Sequence, residues 1–344
     1  MRQRASHDTP TLTLLQNRGQ TRQVDAHVTA CAFDRAGARV AFATGEGRLH
    51  ITGRDHAWTD HDVHDGAILA LTSDTTQEGF LTGGDDGALV RTGAEPIALS
   101  NHGSRWVECV ASHPGGPITA AIGKRVILLD TNGTQLKTLE HPSTVTGLVF
   151  DAKGKRVIAS HYNGVSLWFV AAKTDTPRRL EWKGSHIGVA IHPAGEAVVS
   201  SMQENALHGW RLSDDHNMRM SGYPQKPLSL SFSRTGKWLA SSGAEAVVLW
   251  PFFGGGPMGK APLELGAASG AWCTRVACHP QQDMVAAGFA DGTVLLADIG
   301  SERLLPVAGA GIGPVSALAW SPDGATLAFG TETGTLATVD LSKR

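Results

Sequence analysis

The chain carries almost no net charge: 30 Lys and Arg stand against 32 Asp and Glu, a formal net charge of −2 over 344 residues. That balance argues against wholesale binding to nucleic acid or to an anionic membrane, and no charge block is long enough to form a tail. Apolar runs are short. None could span a bilayer, and the basic start, "MRQRASHDTPTLTLLQNRGQ", lacks an apolar segment of signal-peptide length. Cysteine is scarce: Cys31, Cys109, Cys273 and Cys278 are scattered, with no C-x-x-C pair. This usage fits reduced thiols in a cytoplasmic protein, without disulfides. Signatures of catalysis are missing too, since there is no nucleophile elbow, no H-E-x-x-H and no spaced Cys/His set. The expectation is a chain that is not an enzyme and uses no cofactor.

What the sequence has instead is turns. Glycine at 41 residues and proline at 16 divide it into short apolar segments, which describes many strands and few helices. The segments repeat. An apolar strand is followed by a turn that reads "AFDRAGARV", "VASHPGGPI", "VFDAKGKRV", "AIHPAGEAV", "SFSRTGKWL", "ACHPQQDMV" and "AWSPDGATL", with "LTSDTTQEGF" as the remaining copy. From Gly37 to Gly324 there are seven steps, a mean period of about 41 residues. A second turn recurs at Glu46-Gly47, Asp86-Gly87, Asn163-Gly164, Asp291-Gly292 and Thr333-Gly334, which suits two-residue hairpins. Four strands at such a period are the signature of a β-propeller blade.

The repeats resemble those of WD40 proteins over nearly the whole chain. "PSTVTGLVFDAKGKRVIASHYNGVSLWF" after His141 follows that family's pattern from the loop histidine to Trp168, with Phe169 in place of the closing Asp. Trp210 and Trp250 occupy the same place in their repeats. No Trp-Asp dipeptide occurs, and the loop histidine is well placed only at His64, His102 and His141, so the family's Asp–His–Ser–Trp network is partial. The resemblance implies an all-β, WD40-like propeller, a single domain over residues 1–344. Eight four-stranded blades are expected, with seven as the alternative because seven is commoner in the family. First strands are expected near 28–33, 67–72, 105–111, 144–150, 186–191, 227–232, 272–278 and 314–320. The last repeat has no fourth strand of its own, so a segment within 11–24, either "TLTLLQ" or "TRQV", is expected to supply it and close the ring, with residues 1–10 disordered.

Gly254-Gly-Gly-Pro-Met-Gly-Lys260 has the spacing of a phosphate-binding loop, but Ala261 stands where the magnesium-binding Ser or Thr would be. A strand, "LEL", follows where a helix is needed. Nucleotide binding is therefore rejected. Two readings stay open for the loop. Phe252, Phe253, Met258 and Lys260 hold a partner, or the two phenylalanines fold back on the core and the glycines only turn.

"SRWVECVASHP" and "GAWCTRVACHP" place Trp106 and Trp272 at one position of opposite repeats, with Arg105 and Arg275 close in sequence. These are interface residue types, although packing between blades is equally open to the tryptophans. Residues 54–66, "RDHAWTDHDVHDG", offer His56, His61 and His64 as weak zinc-ligand candidates, but His61 and His64 point to opposite faces of a strand. The His-Pro pairs at 113, 192 and 279 read as turn residues. Glu108 is the one acidic side chain evident on the inner strands, too few for the calcium site of a propeller hydrolase. The function expected is a non-enzymatic scaffold for a protein or peptide partner, with no nucleic acid, membrane or small-molecule ligand. Metal handling is the rival, and a hydrolase with a channel metal a more distant one.

Overall fold

The computed structural model describes residues 12–267 and 270–342; the expected disordered start, 1–10, lies outside them. Strand alternation and glycine turns translate into antiparallel pairing throughout, and within each repeat successive strands are hydrogen-bonded to one another. In every repeat the first strand is innermost and the following strands step outward. The first strands of successive repeats pack side by side and the last returns to the first, so the sheets surround an axis as in a β-propeller.

The expectation of eight separate four-stranded sheets needs correction. The structure has seven hydrogen-bonded sheets, the alternative number: six of four strands and one of six. The six-stranded sheet takes in both the fourth and the fifth repeat. In it Arg178–Ile191 runs on without a loop, pairing through Arg178–Ser185 with Arg156–Phe169 and through His186–Ile191 with Ala197–Met202. Arg156–Phe169 is itself bent at Asn163-Gly164, where both residues have positive φ, and Val170 N–H donates to Lys155 O at 3.0 Å to close the hairpin. Elsewhere a loop separates an outer strand from the next inner one. Here "RRLEWKGSHIGVAI" contains no proline and passes from one partner to the next through Gly184, at φ +134, so the hydrogen-bonded run continues without a loop.

Closure of the ring comes from Gly19–Gln23, which pairs with Thr335–Asp340 as the outer strand of the last sheet. Of the two candidate segments, "TRQV" overlaps this strand, whereas "TLTLLQ" runs into a short helix, Leu14–Arg18, instead. Its T-L-L-Q start is a capping box: Thr13 Oγ1 accepts the Gln16 N–H, and Gln16 Oε1 accepts the Thr13 N–H at 2.9 Å. At the closure Val24 N–H donates to Gly334 O at 2.9 Å, and a Cβ on Gly334 (φ +89) would lie 2.0 Å from Val24 O. Only glycine fits there.

Hydrophobic clusters lie between neighbouring repeats, not in one central core. Ala286, Leu296, Leu327 and Phe329, for example, join the last two. Hydroxyls stitch the inner wall in the same way. Thr146 Oγ1 donates to His186 O at 2.5 Å, Thr274 Oγ1 to Val315 O at 2.6 Å and Ser316 Oγ to Val28 O at 2.5 Å, each crossing to the next repeat. No helix among the described residues is long and apolar enough to cross a membrane.

Candidate partner-binding surfaces

Antiparallel order puts the turns between first and second strands, and those between third and fourth, at one end of the ring. The remaining turns and the connections between repeats share the other end. The glycine loop belongs to the first end. Its two phenylalanines, adjacent in sequence, go to different places. Phe252 N–H donates to Lys237 O at 2.7 Å, and its ring packs edge-on against Phe232 at 5.0 Å, joining the cluster of Leu239, Val248 and Trp250. Phe253 stays 46% exposed. It rests edge-on against Trp238 at 5.4 Å, while Lys260 Nζ sits 4.7 Å from its ring centre and donates to Phe253 O and Gly254 O. Met258 beside it is 48% exposed. Gly254, Gly255, Gly256 and Gly259 all have positive φ, and a Cβ on Gly256 would lie 2.9 Å from Met218 Sδ, so the loop's path over Met218 depends on glycine. Behind the loop a cleft of 350 Å³ opens between the fifth and sixth repeats, lined by Met218, Lys237, Glu196 and Arg211 as well as the two phenylalanines.

At the other end Trp106 is 55% exposed with exposed Arg105 beside it. Trp272, across the ring, is only half-buried. Arg275 does not join it. Its guanidinium is drawn into the wall, where Nε donates to Ser316 O at 2.7 Å and Nη1 to Thr274 O at 3.0 Å, and burial lowers its pKa. It ties the last two repeats together, so the surface role expected for it is not where the structure places it.

The three histidines considered for zinc are not brought together. His56 lies in a connection at the first end with φ +63, His61 pairs with Leu49 in the strand Trp58–Asp62, and His64 is buried at the opposite end. His64 Nδ1 faces Asp86 Oδ1 at 2.9 Å and Nε2 faces Thr82 Oγ1 at 2.9 Å, a structural network. Among the described residues no three His, Cys, Asp or Glu side chains converge as a metal site. His192 and His279 bridge repeats from their turns: the Nε2 of each meets the Gly236 or Gly324 carbonyl of the following turn at 3.1 Å. Glu108 stands on the inner wall, where burial raises its pKa. Burial also pushes all four thiols up to about 12, so none is a thiolate nucleophile near neutral pH.

Two features escaped the sequence. Tyr223 stands in for the loop histidine of the sixth repeat: Trp250 Nε1 donates to its hydroxyl at 2.6 Å, which meets Ser241 Oγ at 2.5 Å. The signal lay in the spacing: a Tyr 27 residues before the Trp matches the 27 from His141 to Trp168. Arg35 reaches across three repeats at the first end, from Nε to Asp74 O at 2.5 Å and from Nη2 to Ser112 Oγ at 2.6 Å.

Residues 272–344 match the family described as the anaphase-promoting complex subunit 4 WD40 domain. The computationally designed Ika8 protein, known from its crystal structure, superposes with a TM-score of 0.76 over 92% of this chain and 97% of its own, at 19% identity, a likeness of fold. No curated protein sequence matches the chain.

Proposed function

We propose that this chain, a β-propeller whose residues 272–344 match a WD40 domain family, is a non-enzymatic scaffold whose loop Phe252–Lys260 holds a protein partner. The observation that carries this is the separation of the two phenylalanines. Phe252 supplies core packing, so the loop does not need Phe253 for stability. Phe253 is nevertheless held in one position on the surface by Trp238 and Lys260. A ring ordered before binding loses little conformational freedom on contact, which is how aromatic anchors contribute most. Met258 adds an adaptable apolar contact beside it. Trp106 and Trp272 offer a second contact at the opposite end.

The test separates binding from packing. Phe253→Ser with Met258→Ser is expected to leave the melting temperature within about 2 °C, since exposed side chains contribute little to stability. Phe252→Ser is expected to cost about 2 kcal/mol. A photo-crosslinking residue at 253 should trap one predominant protein in the native cell, and the Met258→Ser background should reduce that yield. Equal destabilisation by Phe253→Ser and Phe252→Ser, or crosslinks spread evenly over many proteins, would defeat the reading.

A further inference from the structure

The end of the ring that carries the glycine loop is electrically divided. In the fourth to sixth repeats its turns expose Lys153, Lys155, Lys173, Arg234 and Lys237, none with an ion-pair partner among the described residues. The acids there are committed. Asp151 pairs with Arg156 at 2.8 Å, Asp175 with Lys137 at 3.1 Å, Asp214 with Arg211 at 2.6 Å, and Asp215 with Arg178. Glu196 is left against five cations. On the far side the sign reverses: Asp283, Glu302, Asp55 and Glu95 are exposed without ion pairs among the described residues, against Arg303. Arg54 there faces Asp323 at 3.7 Å, and Arg39 faces Asp34 at 3.4 Å. The basic half also holds exposed apolar side chains, Phe169 at 60% together with Phe253 and Met258.

We propose that this basic arc docks an acidic peptide segment of the partner, whose apolar side chains seat on Phe253, Met258 and Phe169 while its carboxylates face the lysines. The inference rests on the reading that this end holds a protein, and it names that protein's chemistry. Lysines at turns are poor stabilisers but effective in steering and in selecting charge. The acidic half repels any polyanion long enough to track around the ring, because its carboxylates act on each part of the polyanion that comes within a Debye length of them. A short acidic segment on one side satisfies both halves. A nucleic acid would gain from the lysines but meets Phe253 with one face already covered by Lys260.

Fluorescence anisotropy with the full chain decides it. The probe is a labelled peptide of aspartate and glutamate with two phenylalanines, set against three controls: the same peptide with lysine for each acid, with serine for each phenylalanine, and a single-stranded oligonucleotide of equal charge. Binding of the first is expected, weakening roughly tenfold between low and physiological salt. The triple substitution Lys153→Glu, Arg234→Glu, Lys237→Glu should abolish it with an unchanged melting temperature. Phe253→Ser should weaken it about tenfold. Absence of binding, equal binding of the lysine peptide or the oligonucleotide, or indifference to charge reversal would overturn the proposal. The reading it rests on fails separately: if charge reversal spares the crosslink at position 253 and Met258→Ser removes it, only the acidic chemistry is wrong.

Discussion

Histidines in the first two sheets and histidines in the six-stranded sheet are equally buried but differently partnered. His50 Nδ1 meets Asp60 Oδ1 at 2.8 Å, and Asp60 also takes both Arg22 nitrogens, at 2.8 and 2.6 Å, across the ring's closure. His64 meets Asp86. In the six-stranded sheet His141 accepts the Trp168 Nε1–H at 2.9 Å, His161 meets Ser166 Oγ at 2.8 Å, and His186 meets Ser200 Oγ at 2.6 Å. His208 stacks on Trp182 at 3.9 Å and reaches Asn217. Among the described residues no carboxylate bonds to any of these four. Arg179 presses on His141 and His161, and Arg219 on His208. The same residue thus serves two designs: one set faces carboxylates, while among hydroxyls, indoles and arginines burial first, and then the arginines, disfavour a proton.

The largest expected effect breaks the comparison open by acid. Burial, before any other cause, lowers the pKa of all four histidines, with His141 and His208 at about 4. A folded pKa below the unfolded one means the unfolded chain binds more protons. Stability is therefore complete above about pH 6.5 and falls as pH drops toward 4, by a few kcal/mol in total. Asp60 and Asp86 behave oppositely. Burial would raise them, but hydrogen bonds from Arg22 and His50, and from Ala88, His64 and Asp65, outweigh it and hold them below the usual range. Their contribution is lost only below about pH 4. Hydrogen exchange at pH 4.5 should show residues 156–169 and 178–191 losing protection while 48–62 and 80–92 keep it. Uniform loss would cancel the distinction.

Next in size is Asp86→Asn. Asp86 accepts from the Asp65 and Ala88 N–H groups at 3.1 and 3.0 Å as well as facing His64, so the amide should cost about 2 kcal/mol at pH 7. The gap from the natural chain should narrow as pH falls from about 4, where the unfolded carboxyl begins to take a proton, toward the depressed folded pKa of Asp86. A deficit that stays constant down to pH 3 would show the loss is steric.

Much of this frame was legible. The repeat period, the turns and the inner strands follow from alternation and glycine placement: Val28–Phe33 and Val315–Trp320 lie where the pattern puts them. The join between the fourth and fifth repeats was not legible, because the first strand expected at 186–191 continues the preceding outer strand through Gly184, and an isolated glycine reads equally as a turn. The sides taken by Phe252 and Phe253 were not legible, since alternation loses its phase once the strand ends at Pro251. Charge division at the ring's end was hidden by a net charge near zero. It emerges only when topology gathers turns far apart in sequence. Tyr223 in place of a histidine was invisible to a search for histidine, although hydroxyl and imidazole answer the same indole N–H.

That substitution supplies a sharper control. Tyr223→Phe removes an acceptor from the Trp250 N–H and a partner from Ser241, at a cost of about 1.5 kcal/mol. Burial raises the Tyr223 pKa well above the usual tyrosine range, so its hydroxyl does not titrate between pH 4 and 8. The loss should be flat across that range in denaturant melts. A pH-dependent loss would mean the sixth repeat is coupled to the histidines of the fifth.

The smallest effect isolates one histidine. His208→Phe keeps a ring against Trp182 and Trp210 but gives up the 2.9 Å contact of Nε2 with Asn217 Oδ1. His208 Nδ1 is buried without a partner, so the substitution also relieves an unsatisfied polar atom. The two effects oppose each other at pH 7, leaving a change of about 1 kcal/mol or less. At pH 4.5 the natural chain bears the cost of keeping His208 unprotonated and the variant does not. The variant should therefore gain on the natural chain as pH falls from 6.5 to 4.5, with a shallower dependence by up to one proton in urea melts. An identical slope for both chains would mean His208 stays accessible to protons in the folded state, and the contrast with the carboxylate-paired histidines would then rest on His141, His161 and His186 alone.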